Sequence, residues 1–150
     1  MKPEIVHSHE AFTLIELMIV AAIIGLLSGM ALPKFAKMVE KAQEAQTKGN
    51  IGCLRSALAI YYADTEGNYP TSGNLSVLTV RSKYLKVIPS AIFPKTSLSI
   101  GHRTLNSFTN TANRDAGGWY YNNNKVSATW GKVLTCCTHK DLKGQRWTAY

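Results

Sequence analysis

The chain has 150 residues, 45% hydrophobic and 17% charged, with 17 Lys and Arg against 9 Asp and Glu for a net charge of +8. About 100 residues lie outside one long apolar run, enough for a single modest domain and too few for several. There is no internal repeat or low-complexity tract, which excludes a repeat array.

The first eleven residues, MKPEIVHSHEA, hold one lysine and two glutamates. Phe12–Leu32 then forms an almost wholly apolar run whose length matches the roughly 20 helical residues that cross a bilayer. It has no polar face, so a cytosolic core helix is a poor account of it. A secretory signal is the rival, with Gly29-Met30-Ala31 as a cleavage site. The front segment is a poor basic n-region, and the apolar block is rather long for that role. Glu16 sits inside the run, where an acid at mid-membrane costs on the order of 2.5–3.5 kcal/mol and is usually paired.

The stretch FTLIELMIVAAIIGLLSGMALPKF resembles, nearly residue for residue, the N-terminal motif of the type IV prepilins and the type II secretion pseudopilins. The resemblance implies a leader at 1–11, cleaved between Ala11 and Phe12 by a prepilin peptidase that then methylates the Phe12 amine. The family usually has Gly before the cut, and this chain has Ala11. The resemblance also implies an assembly role for Glu16, whose carboxylate would meet the Phe12 amine of a neighbouring subunit. In apolar surroundings such a pair is far stronger than in water, and an unpaired charge is penalised. Axial register and partner choice are then set together. Gly25 and Pro33 fall where the family loosens its helix.

Ala21, Gly25 and Gly29 recur at spacing four on one helical face, the small-residue pattern that lets helices approach closely. Pro33 continues the spacing, removes a backbone donor and defines with Gly25 a stretch that can kink inside a filament. From residue 33 to about 64 the chain is rich in Ala, Gln, Lys and Glu, good helix formers. Phe35, Met38, Val39, Ala42, Leu54, Ala57, Leu58 and Tyr61 recur near helical spacing, and Glu44 precedes Lys48 by one turn in the favourable order. One continuous helix from about Phe12 to Asp64 is expected, roughly 80 Å long. Its half at 12–32 would lie in the membrane or filament core, and its amphipathic half at 33–64 would pack on the head. Gly67 and Pro70 end it.

The head at 65–150 divides into a variable connection, 65–116, and strands over 117–150. In the connection, NLSVL suits a helical turn, YLKVIPSAIFP an extended piece, and GHRTLNSFTNTANRDAGG a polar loop. GGWYYNNNKVSATW reads as a hairpin turning at Asn122–Asn124, with alternation at Val126, Ala128 and Trp130. KVLTCCT and QRWTAY are further strands. The GGWYY hairpin and the closing CTHKDLKG before a Trp also resemble bacterial pilins. The fold expected is α+β, a long N-terminal helix on a small antiparallel sheet of three or four strands.

Cys53 lies on the helix, and Cys136 and Cys137 are adjacent. Strand neighbours point to opposite faces, and disulfides persist outside the cytoplasm. A bridge from Cys53 to either Cys136 or Cys137 is therefore expected, leaving one thiol over. Cys136, Cys137 and His139 crowd three ligands into four residues, unlike zinc spacings, so neither metal nor cofactor is assigned.

Leader removal would raise the net charge to about +9 by taking away Lys2, Glu4 and Glu10. Lys83, Lys86, Lys95, Arg103, Arg114, Lys125, Lys132, Lys140, Lys143 and Arg146 spread over the head. They serve solubility, with non-specific binding of DNA or acidic surfaces as the sharper reading. A membrane-anchored enzyme is the reading from another class. No nucleophile with a matched base, phosphate loop or H-E-x-x-H site supports it. Major secretion pseudopilins carry an acidic calcium loop near the C-terminus, whereas the last fifty residues here hold only Asp115 and Asp141. The expectation is a structural type IV pilus subunit rather than a secretion pseudopilin. It would be held in the inner membrane, then polymerised with itself by an inner-membrane assembly platform into an extracellular fibre.

Overall fold

A computed structural model describes residues 12–94, 102–105, 108–109 and 115–150. The expected leader 1–11, with Ala11, and parts of the 65–116 connection lie outside the described residues. The chain divides into two compact units, Met1–Met38 and Val39–Tyr150.

One helix, α1 (Leu14–Asp64), contributes to both units. Residues with good helical propensity carry it, and it continues through Pro33, where the absent N–H leaves the Gly29 carbonyl without its ladder donor. It ends as expected: Gly67 takes φ 87° and its N–H reaches the Tyr62 carbonyl at 2.9 Å.

In the first unit every described residue is exposed. The second unit has a core. There α1 buries Glu44, Thr47, Ile51, Leu54, Ala57 and Leu58, a stripe at spacings of three and four. Phe35, Met38 and Val39, which continue the same apolar periodicity, are exposed. Leu75 and Leu78 pack on the stripe from a 3-10 segment, Ser76–Ser82, in the region read as a helical turn. Trp119, Tyr121, Val133 and Trp147 complete the core with Ala91 and Phe93.

Five short strands form two sheets. β1 (Ala91–Phe93) pairs antiparallel with β2 (His102–Leu105), in the register Ala91 with Leu105 and Phe93 with His102. β3 (Phe108–Thr109) runs parallel to β4 (Trp119–Tyr121), and β4 pairs antiparallel with β5 (Val133–Thr135). The fold is α+β as expected, but the three-stranded sheet is mixed rather than antiparallel. Strands β2 and β3 fall in the stretch read as a polar loop.

The hairpin partner of WYY also differs from expectation. Val126, Ala128 and Trp130 lie in turns, and Val126 is 93% exposed. The strand opposite β4 is Val133–Thr135, with Tyr121 opposite Val133. Local bonds shape the connection: the Asn122 amide donates to Ser127 Oγ and Thr129 Oγ1, both at 2.8 Å. Gly131 sits at φ +84°, and a Cβ there would come within 2.5 Å of the Tyr69 ring. Only glycine fits. The last expected strand, QRWTAY, instead contains a 3-10 turn, Trp147–Ala149, which drives Trp147 into the core.

Polar groups tie the layers together. Thr47 Oγ1 donates to the Ile92 carbonyl at 2.6 Å and accepts the Ile92 N–H at 2.9 Å, docking α1 on β1. Trp119 Nε1 donates to the Pro89 carbonyl at 2.8 Å, and Tyr121 Oη to that of Pro70 at 2.6 Å.

Candidate assembly surface and the C-terminal clasp

The N-terminal unit presents a mostly apolar surface, broken among the described residues by Thr13, Glu16, Ser28, Lys34 and Lys37. Phe12, Leu14, Ile15, Leu17, Met18 and Ile19 are all more than half exposed, and the same holds along the helix to Met38 with few exceptions. A monomeric soluble chain rarely exposes a patch of more than a few hundred Å². The helix is long and apolar enough to cross a membrane, with none of its most apolar window buried. It needs lipid or other helices around it.

Glu16 is locally satisfied. Its Oε2 accepts Thr13 N–H at 2.9 Å and the Thr13 hydroxyl at 2.6 Å, while Glu16 N–H donates to Thr13 Oγ1 at 3.3 Å. This is a reciprocal capping box, and it binds two otherwise orphaned groups at the helix start. Thr13 is a residue that the sequence reading missed, although T-x-x-E at 13–16 is its signal. Phe12 is 71% exposed beside it. The expected Phe12–Glu16 contact is between chains, so a single chain does not contain it.

Beyond the helix's own backbone, no atom of the described residues comes within 4 Å of a Cβ built at Gly25 or Gly29. Their small size therefore serves no packing within the monomer.

In the second unit, the C-terminal loop is clasped to α1. Lys48 Nζ meets Asp141 Oδ2 at 2.6 Å and lies 4.3 Å from the Tyr150 ring centroid and 5.3 Å from that of Trp147. Glu44 Oε1 accepts the Leu142 N–H at 2.8 Å. The expected pairing of Glu44 with Lys48 gives way to these two contacts, because each side chain finds a desolvated partner in the loop. Asp141 also accepts Tyr150 Oη and the N–H groups of Lys143 and Gln145 at 2.8–2.9 Å. Burial pushes its carboxyl up, but Lys48 and the other donors outweigh that and hold it at about 2. Glu44 moves the opposite way, mainly through burial. Arg55 adds a tie to the Val133 and Tyr150 carbonyls.

The cysteines correct an expectation. No disulfide joins Cys53, Cys136 and Cys137. Cys53 is exposed on α1, while Cys136 and Cys137 are both buried. β5 ends at Thr135, so strand alternation does not govern the two that follow, and Cys136 N–H bonds back to Gly118. Cys137 Sγ lies 3.5 Å from His139 Nδ1, and His139 Nε2 lies 3.4 Å from Asp115 Oδ2. Such a line could suggest a nucleophile, but burial pushes the Cys137 thiol up to about 12, which leaves almost none of it as the attacking thiolate. Of the basic residues named, Lys83, Lys86, Lys125, Lys132, Lys140, Lys143 and Arg146 are exposed. Lys95, Arg114 and the Arg103 side chain lie outside what is described.

An exposed apolar N-terminal helix with a capped acid at its start, and a small α+β head, make a pilin-like α+β fold. Residues 7–32 match the model of the prokaryotic N-terminal methylation motif, so the chain carries the prepilin motif. The chain is similar to the fimbrial protein EcpC of Eikenella corrodens, 37% identical over 81 residues, 53% of this chain and 52% of EcpC. It is also similar to the type IV major pilin PilE of Neisseria gonorrhoeae, 35% identical over 83 residues, 53% of this chain and 49% of PilE. The type IV major pilin PilA of Myxococcus xanthus is 38% identical over 58 residues, 39% of this chain and 26% of PilA. The chain thus spans about half or less of the length of these curated relatives. No solved structure matches it.

Proposed function

We propose that the chain is a structural subunit of a type IV pilus, cut between Ala11 and Phe12, N-methylated at Phe12 and polymerised by packing of its N-terminal helix. The observation that carries this reading is the exposed apolar surface of residues 12–38, lying within and beyond the methylation motif. Gly25 and Gly29 support it, since their open backbone suits a neighbouring helix and none of the described residues packs on it. Glu16 would exchange its Thr13 donors for the Phe12 amine of a neighbour, which fixes axial register. The prepilin peptidase and the inner-membrane assembly platform are the partners this route requires. The basic head is solvated surface and adheres to DNA or acidic surfaces only non-specifically. The named relatives are fimbrial proteins and pilins, and a structural rather than enzymatic role follows from them by analogy.

Intact-mass spectrometry of filaments sheared from the source cells tests this. The expected result is this chain, abundant in the filaments and starting at an N-methylated Phe12. The same mature mass confined to the envelope would favour a secretion pseudopilin. A chain starting at Met1 or Leu32 would overturn the reading.

A further inference from the structure

Asp115, Cys137 and His139 come together from two segments, each offering a donor atom within 4.8 Å of the others. They are pre-positioned by backbone pairing. Gly117 N–H donates to the Cys136 carbonyl at 2.9 Å and Cys136 N–H to that of Gly118 at 3.0 Å, which lays the segment before β4 against the segment after β5. Asp115 Oδ1 accepts the Thr138 N–H at 2.9 Å, and the His139 carbonyl accepts the Trp147 N–H at 3.0 Å. The Asp115 carboxylate is thus held at the Thr138 N–H, and the His139 ring lies beside both other groups, its Nδ1 3.5 Å from Cys137 Sγ and its Nε2 3.4 Å from Asp115 Oδ2.

We propose that these three side chains form a binding site for a divalent transition metal ion of borderline softness, with zinc the best fit. A thiolate, an imidazole and a carboxylate are the donor set such ions take, and hard cations such as calcium or magnesium take oxygens instead. The Sγ to Nδ1 separation of 3.5 Å equals the edge, about 3.5 Å, of a tetrahedron with zinc bonds of roughly 2.3 Å to sulfur and 2.0–2.1 Å to nitrogen. Closing the third edge takes a turn of the imidazole and a small swing of Asp115. Cys137 is fully buried, whereas the His139 and Asp115 side chains are 23% and 38% exposed. The ion therefore enters from the solvent side and keeps an open fourth position. On binding, the Cys137 S–H proton leaves to solvent and a sulfur–metal bond replaces it. The metal ties the Asp115 loop to the segment after β5, by coordination rather than through a cystine. Sequence spacing hid the site, because Asp115 lies 22 residues before Cys137.

The test is a titration of the full chain, reduced and in detergent micelles, with Co²⁺ alone, followed by displacement with Zn²⁺. The expected result is one Co²⁺ per chain with a thiolate-to-cobalt charge-transfer absorption that Zn²⁺ abolishes. C137S should remove that absorption, and H139Q and D115N should each weaken binding by about tenfold or more. C53S and C136S should leave affinity unchanged. If C137S does not fold, H139Q and D115N decide the matter, since both side chains are partly exposed. Binding that follows Cys53 or Cys136, binding indifferent to H139Q and D115N, or no stoichiometric binding would overturn the proposal.

Discussion

Lys48 on α1 and Asp141 in the C-terminal loop are joined by a 2.6 Å ion pair in which the carboxylate is wholly buried and the ammonium about a quarter exposed. The two are 93 residues apart in sequence, so this one contact closes most of the head. K48M should leave Asp141 buried without its cation, at a cost of about 3 kcal/mol. Chemical denaturation of the micelle-bound chain would read this. A loss below about 1 kcal/mol would mean that the pair behaves as a surface pair does.

The same pair gives the head an acid limit. Asp141 is held at about 2 in the fold against an ordinary 3.8. Its contribution is therefore complete above about pH 4 and is lost as the pH falls through about 2, on the order of 2 kcal/mol in all. Glu44 works against it: burial raises its carboxyl, so folding favours its protonated form, and that contribution fades as the pH rises. The expected net result is falling stability between pH 4 and pH 2, set by Asp141, because the Glu44 contribution is nearly complete below its ordinary 4.5 and opposes Asp141 only above it. In K48M most of that slope should disappear. Denaturation midpoints taken across this window for both chains would check the sign.

Glu16→Ala should be cleaved and inserted into the membrane normally yet enter filaments at least tenfold less well, the equivalent of about 1.4 kcal/mol or more. Thr13→Ala removes the hydroxyl donor and the Oγ1 acceptor, keeps the backbone N–H and costs the helix start about 1 kcal/mol, but leaves the carboxylate for a neighbour. It should therefore assemble far better than the Glu16 variant. Equal amounts of both in sheared filaments would remove the assembly role from Glu16 and leave it a helix cap.

The two aromatic-flanked segments of the head should respond in opposite ways. W119A empties a fully buried site and strands the Pro89 carbonyl, at a cost of about 3–5 kcal/mol. V126K, in the turn region, should change stability by no more than about 0.5 kcal/mol. Thermal melts of the pair distinguish the observed strand at Val133–Thr135 from one through Val126, in which a lysine would be costly.

The long helix was legible because its signals are local: an apolar run of membrane length, good helix formers beyond Pro33, and a glycine and proline to stop it. The head was less so. Val126, Ala128 and Trp130 alternate as a strand would, but Asn122 binds Ser127 and Thr129 across a turn, and Tyr69 needs a glycine at 131. Period alone carries no trace of either. Glu44 and Lys48 looked like partners at one helical turn, and only the fold brings Asp141 and Leu142 to outbid each of them. Of the candidate site, Glu16 was legible through the motif, while Thr13 was overlooked despite its spacing. The Asp115, Cys137 and His139 cluster could not be read from neighbours in sequence.

The Thr13–Glu16 box has a consequence for assembly. A carboxylate that already holds two donors would, on the proposed route, enter lipid at less cost than a bare one. On that route, polymerisation trades two neutral donors for a charged amine, so the new pair must outweigh a helix cap worth about 1 kcal/mol.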